Sequence, residues 1–220
     1  MPASHDRAEL KPQMPKGLKR VYDALWQEVA SAHASWKLFT QLFSHSQERV
    51  DLLNAMLPDF SFTVFHALRD SVMVSLCRLT DPPEMAGRKN LCLRRLTLHL
   101  KASRFKLLMR EIEARTGEAE EYCRPFRKWR NRELAHTDWA EKARYSRQPL
   151  PDISKEQFDK ALRMTADLLN RVLGYFEDSE TDFRGVLFRG DGETLVRYLE
   201  EVKEHRNARL RKYLGETGPP

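Results

Sequence analysis

The residues best suited to chemistry lie close together between positions 127 and 138, where the sequence reads RKWRNRELAHTD. The ordinary pKa of histidine, about 6.5, lets His136 take or give a proton near neutrality. Arg130 offers a fixed charge and a planar fork that holds phosphate. Together they suit metal-independent cleavage of a phosphodiester, with the histidine moving a proton and the arginine stabilising charge on the phosphate. Because DNA lacks the ribose 2′-hydroxyl, this chemistry points to RNA.

Spacing alone does not identify this site, because Arg94 and His99 also satisfy an Arg-x(4–6)-His pattern. The neighbouring residues distinguish the pair Arg130 and His136 from the pair Arg94 and His99. Asn131 supplies a neutral amide that can orient phosphate or water, and Asp138 lies close enough in sequence to influence the imidazole. The alternative is a surface helix whose histidine merely caps the helix or pairs with Asp138.

The geometry of a regular helix leaves the assembly of the site open. At about 100° per residue, Arg130 and His136 lie about 120° apart, whereas Arg132 shares a face with His136. Either the helix bends or begins within the segment, or the site is assembled across a dimer. Arg132 can also assist Arg130 or replace it.

Basic residues are concentrated in two segments of the chain. Positions 88–110 contribute a net charge of +8 and positions 124–147 a net charge of +5, so the rest of the chain sums to −7. A basic zone facing a polyanion is the functional interpretation, and a solvated helix face is the alternative. The predicted RNA-binding residues are Arg94, Arg95, Arg104, Lys106, Arg127, Lys128 and Arg132.

Composition and the absence of other motifs exclude several classes of protein. With 41% hydrophobic and 32% charged residues, the chain is too apolar for disorder and too polar for a membrane protein. No apolar run approaches the roughly 20 residues that span a bilayer, and the N-terminus lacks a secretory signal, so we expect a cytoplasmic protein. Phosphate loops, dinucleotide motifs and HExxH are absent, and the scattered histidines lack ligand spacing, so neither a metal nor a cofactor is expected.

The elements that must position these residues are helical. Apolar residues recur at steps of three and four in several stretches, one of them from Leu18 to Phe43, which predicts an all-α antiparallel bundle of about six or seven helices. The pattern places one helix end at Gly117, and Ser154 followed by Gln157 predicts a capping box at the start of a further helix. Residues 91–100 fit a strand or a helix, and we favour the helix. The predicted organisation is a disordered tail at 1–16, a helical domain at 17–212 and a disordered tail at 213–220.

One charged pair is left outside the predicted site. Asp81 precedes two prolines, which is typical of a turn former, and Arg78 is interpreted as its partner at the end of a helix.

The sequence also resembles a known family. Arg130-Asn131 followed by His136 resembles the Arg-polar-x(3–5)-His signature of the HEPN superfamily of helical RNases and RNA-binding proteins. Three further blocks resemble its abortive-infection U-type (AbiU-like) members, in the same order: WKLFTQLF at 36–43, RLTDP at 78–82, and Asn90-Leu91. The likeness covers roughly residues 18–210.

The resemblance implies a helical bundle that commonly forms a homodimer, in which two copies of the motif meet in a cleft and cut RNA without metal. It makes Arg130 and His136 the catalytic candidates and Asn131 their polar partner. Three functions stay open: a metal-independent endoribonuclease acting as a toxin or phage-defence effector, a non-catalytic RNA-binding module, and an interaction subunit for an antitoxin or a nucleotidyltransferase.

Overall fold

The computed structural model describes residues 11–134 and 150–214, and these ranges are almost wholly helical. Their α-helices are α1 (Lys16–Phe43), α2 (Gln47–Met56), α3 (Pro58–Leu79), α4 (Ala102–Tyr122), α5 (Arg124–Trp129), α6 (Lys155–Phe176) and α7 (Gly192–Tyr213). Two strands of two residues each, β1 (Glu84–Met85) and β2 (Arg88–Lys89), form an antiparallel hairpin. The all-α prediction is therefore confirmed.

Local signals explain where several helices begin and end. The predicted capping box at the start of α6 is present, since the Ser154 hydroxyl accepts from Gln157 and the Gln157 side chain accepts from the Ser154 amide. Helix α3 ends at Leu79, shortly before Pro82 and Pro83, which cannot continue a helix. The ambiguous stretch is helical as favoured, but it is a 3-10 helix, Leu93–His99, rather than an α-helix.

One predicted helix end is wrong. The sequence pattern places a break near Gly117, yet α4 continues through it to Tyr122 and ends before Pro125, which lies in the first turn of α5. A glycine inside a helix costs only about 1 kcal/mol, which the buried residues of α4 can offset. Proline is the stronger break because it lacks the N–H that a helix interior requires.

The chain divides into two compact units. The first, residues 1–32 and 73–183, has a core in which α4 packs against α6, with the rings of Phe105 and Phe176 edge to face at 5.6 Å. The second, residues 33–72 and 184–220, has its own smaller apolar core, formed by Leu42, Leu52, Leu53, Val196 and Leu199. The domain boundaries at 17 and 212 stay a prediction.

Hydropathy along the helices bears on membrane insertion. Within 11–134 and 150–214, no helix combines the length and the apolar character that crossing a bilayer would require.

Candidate functional site

The predicted catalytic segment begins in an unusual helical geometry. Helix α5 ends at Trp129, and the chain continues from Arg130 to Leu134 as a π-helical turn, whose hydrogen bonds join residues five apart rather than four. The ideal α-helical wheel therefore does not apply across Arg130–Leu134. His136, with Ala135 and Asp138, lies outside the described residues, so the distance from Arg130 to His136 stays untested.

Arg130 is anchored by a carboxylate from a distant part of the sequence. Its Nη1 donates to Oδ2 of Asp81 at 2.5 Å, and the two side chains are only 16% and 11% exposed. Its Nε donates to Oδ1 of Asn131 at 3.1 Å. A guanidinium has five N–H groups, so these two bonds fix its plane while using a minority of its donors.

Arg127 completes this cluster from one helical turn earlier. Its Nη2 donates to the backbone oxygen of Thr80 at 2.8 Å and to the Thr80 hydroxyl at 3.1 Å. Its Nε is buried and lies 3.6 Å from Oδ1 of Asp81, an ion-pair distance. Asp81 therefore holds two arginines, and the end of α3 is tied to α5 and to the π-helical turn.

Asp81 is the residue that sequence reasoning missed. The prediction made it a turn former paired with Arg78, but the Arg78 guanidinium donates instead to Glu28, and the Asp81 carboxylate faces Arg130 and Arg127. The two residues are linked only through the backbone, where the Asp81 amide donates to the Arg78 oxygen. The signal that was available is the RLTDP block at 78–82, which belongs to the family resemblance.

Two buried thiols, Cys77 and Cys123, lie near enough to the arginine pair to feel its charge. Burial raises the pKa of Cys77 to about 11, against an opposing effect of Arg130 and Arg127. Burial likewise raises the pKa of Cys123 to about 12. These neutral thiols make the surroundings of the arginines apolar, which strengthens the attraction of a guanidinium for an anion.

The remaining predicted RNA-binding residues form two groups, and Arg132 belongs to neither. Arg94 binds both carboxylate oxygens of Glu120, and Arg95 donates to the backbone oxygens of Asn90 and Pro83, so both arginines already hold the fold together. The exposed basic residues are Arg104 and Lys106 on α4 and Lys128 on α5. Arg132 is half-buried in the π-helical turn, one residue beyond the exposed Asn131.

The described part of the site has the chemistry of an anion-binding centre. It brings together Arg127, Arg130 and Asn131, whereas Arg94 binds Glu120 and Arg104 lies over the ring of Phe105. Among the described residues, no group of three or more histidine, cysteine, aspartate or glutamate side chains is arranged to hold a metal ion. This arrangement can hold phosphate through the anchored guanidinium of Arg130 and the neighbouring side-chain amide of Asn131.

Comparison with known proteins identifies the family of the chain. A family model described as AbiU2, within the HEPN group, matches residues 15–186, which is most of the chain and includes Asp81, Arg130 and His136. The comparisons with curated proteins and with solved structures found no match. Because the match covers well over half of the chain, the protein belongs to the AbiU2 family of HEPN proteins.

Proposed function

We propose that this protein is a metal-independent endoribonuclease whose catalytic residues are Arg130, Asn131 and His136. The observation that carries the proposal is the clamp on Arg130, whose guanidinium is fixed by Asp81 and Asn131 at a π-helical turn six residues before the histidine. π-helical turns often occur at functional sites, and an arginine held in a partly buried place is preorganised for phosphate.

The reaction is an internal transesterification of RNA. His136 takes the proton of a ribose 2′-hydroxyl, and the resulting oxygen attacks the adjacent phosphorus. The bond from phosphorus to the 5′-oxygen of the next nucleotide breaks, and that oxygen receives the proton that His136 took, so the histidine returns to its starting state. Arg130 stabilises the charge that builds up on the phosphate, and Asn131 orients it. The products are a 2′,3′-cyclic phosphate and a 5′-hydroxyl.

Substrate chemistry provides the test. The purified chain is incubated in EDTA with labelled RNA, with the matched DNA, and with an RNA whose riboses carry 2′-methoxy groups. We expect cleavage of the unmodified RNA alone, leaving 2′,3′-cyclic phosphate ends. Cleavage of DNA or of the 2′-methoxy RNA, or cleavage that EDTA abolishes, would overturn the proposed mechanism.

A second function, RNA binding without cleavage, is supported by the exposure of Arg104, Lys106 and Lys128. Such a module would bind RNA with steep salt dependence, and binding would survive loss of His136. Whether it cuts RNA or only binds it, we propose that the protein is a cytoplasmic homodimer that acts as a toxin or phage-defence effector. An antitoxin or a nucleotidyltransferase is the proposed protein partner. This biological role follows from the family alone.

A further inference from the structure

A cleft of about 270 Å³ is lined in part by Asp81, the residue that anchors Arg130, and has no role in the proposed cleavage chemistry. It lies within the first compact unit and is lined by Glu28, Arg78, Asp81, Lys89, Asn90 and Leu91. Asp81 is a wall of this cleft and also the anchor of Arg130, with 2.5 Å between their side chains. A group bound in the cleft and a phosphate held by Arg130 therefore share Asp81 as a neighbour.

The cleft is built rather than incidental. Glu28 is held in place because its Oε1 accepts from the Ser75 hydroxyl at 3.0 Å and from Arg78. The Asn90 side-chain amide donates to the Pro82 oxygen at 2.8 Å, which fixes the position of Asn90 in the lining. Neither bond uses Oε2 of Glu28, and a carboxylate can accept about four hydrogen bonds.

The lining offers three kinds of contact at once. The Arg78 side chain is 57% exposed and Lys89 is exposed on β2, so two cations of the lining are accessible from solvent. Leu91, which is 39% exposed, supplies an apolar surface. Glu28 supplies an anionic acceptor inside. One nucleotide offers a partner for each of these contacts. Its phosphate can bind the cations, the flat face of its base can contact the leucine, and N–H groups of the base can donate to the carboxylate.

We propose that this cleft is a base-selective subsite that binds the nucleotide adjacent to the scissile phosphate, and that guanine is the base it prefers. Guanine presents two neighbouring N–H donors on its Watson–Crick edge, N1–H and the 2-amino group, which match a carboxylate. Lys89 and Arg78 bind the backbone phosphate of that nucleotide, and Leu91 contacts the face of the base. The inference rests on the proposed function, because it gives that site its substrate preference.

Binding and cleavage are measured separately to test the subsite. Binding uses the full chain carrying His136→Ala, so that RNA is not consumed. The probes are a fluorescein-labelled all-uridine hexamer and three labelled uridine hexamers with one central guanine, adenine or cytosine. Anisotropy titrations compare Glu28→Gln and Lys89→Ala with Lys19→Ala, a control in which the lost lysine is exposed on α1 and pairs with Asp23. Cleavage positions are mapped on wild type, Glu28→Gln and Lys19→Ala with a mixed-sequence RNA.

The expected results are specific for each variant. The guanine hexamer binds about threefold to tenfold more tightly than the all-uridine one, and Glu28→Gln removes this difference. Lys89→Ala weakens all hexamers and lowers the log–log salt slope by about 1, while Lys19→Ala changes neither. In the mapped RNA, cuts of the wild type cluster next to guanine, and Glu28→Gln disperses them.

Equal binding of all hexamers, or Glu28→Gln and Lys89→Ala behaving like Lys19→Ala, would overturn the subsite. If wild type cuts RNA but Glu28→Gln leaves the cut positions unchanged, the subsite fails and the nuclease stands. If the guanine preference and its loss in Glu28→Gln are found while wild type cuts nothing, the nuclease fails and the cleft remains a nucleotide-binding site.

Discussion

Arg130 and Asp81, 49 residues apart in the sequence, are joined by a 2.5 Å bond between Nη1 and Oδ2. The carboxylate follows helix α3 and the guanidinium opens the π-helical turn, so one ion pair couples the turn after α3 to the candidate catalytic segment. Because Arg127 also lies 3.6 Å from this carboxylate, Asp81 balances two positive charges in a place where water has little access. Its loss should affect both stability and the position of Arg130.

Asp81→Asn should lower the free energy of unfolding by about 1–3 kcal/mol, because both arginines lose their counter-charge while partly buried. Denaturant titration measures this change. Asp178→Asn is the matched control, since Asp178 is 91% exposed in its ion pair with Lys11 and should change stability by less than about 0.5 kcal/mol. Equal, small effects of both variants would show that the Asp81 cluster does not stabilise the fold.

The buried thiols predict how stability depends on alkaline pH. Burial raises the pKa of Cys77 from 9.0 to about 11 and that of Cys123 from 9.0 to about 12. Above pH 9 the unfolded chain therefore loses these protons while the folded chain keeps them, so the free energy of unfolding falls as pH rises. We expect a fall of about 2–3 kcal/mol between pH 8 and pH 10, to which each thiol contributes about 1.4 kcal/mol.

Denaturant titrations at several pH values measure this slope, and the double variant Cys77→Ala, Cys123→Ala should flatten it. In addition, a thiol reagent at pH 8 should react slowly with the native protein and rapidly in guanidinium, since the three free cysteines are buried. A rapid native reaction, or an unchanged slope in the double variant, would contradict the burial of these thiols.

The capping box at the start of α6 gives a third prediction. Ser154→Ala removes the hydroxyl that accepts from the Gln157 amide, so we expect a loss of about 1 kcal/mol in the free energy of unfolding. Thermal or denaturant unfolding measures it. Ser179→Ala, in the exposed loop after α6, is the control and should be nearly neutral. If Ser154→Ala is equally neutral, the cap contributes nothing to stability.

The two groups of predicted RNA-binding residues should respond differently to mutation. Lys106→Ala removes an exposed charge, so it should weaken RNA binding and lower the salt slope by about 1 without changing stability. Arg94→Ala breaks the pair with Glu120 and should lower the melting temperature with a smaller effect on affinity. Salt-dependent titrations and thermal unfolding of both variants distinguish these outcomes. If Arg94→Ala weakens RNA binding more than Lys106→Ala does, the RNA binds at the 3-10 helix instead.

Periodicity was enough to predict most of the fold. The stripe from Leu18 to Phe43 predicted α1, and the Ser154–Gln157 pair marked the start of α6, because both signals depend on neighbours within a few residues. Gly117 was misleading, since whether a helix tolerates a glycine depends on tertiary packing that local sequence does not contain.

The candidate site was less accessible to sequence reasoning. Arg130 and Asn131 are marked by residue type and spacing, and the mismatch of Arg130 with His136 on an ideal helix leaves two alternatives, a helix that bends or begins there and a site assembled across a dimer. The π-helical turn departs from α geometry at Arg130–Leu134, while the choice between these alternatives stays a prediction. Asp81 was not found, because a contact across 49 residues depends on how helices pack. Its local signal, an aspartate before two prolines, is equally typical of a turn.

The proposed cooperation of His136 with Arg130 in cutting RNA is tested by the single-turnover cleavage rates of four proteins in EDTA. These are the wild type, His136→Ala, Arg130→Ala and His99→Ala, the last being a decoy from the other Arg-x(4–6)-His pattern. We predict that His136→Ala and Arg130→Ala each reduce the rate by at least about 100-fold, while His99→Ala cleaves like the wild type. Cleavage by His136→Ala at the wild-type rate would contradict the account.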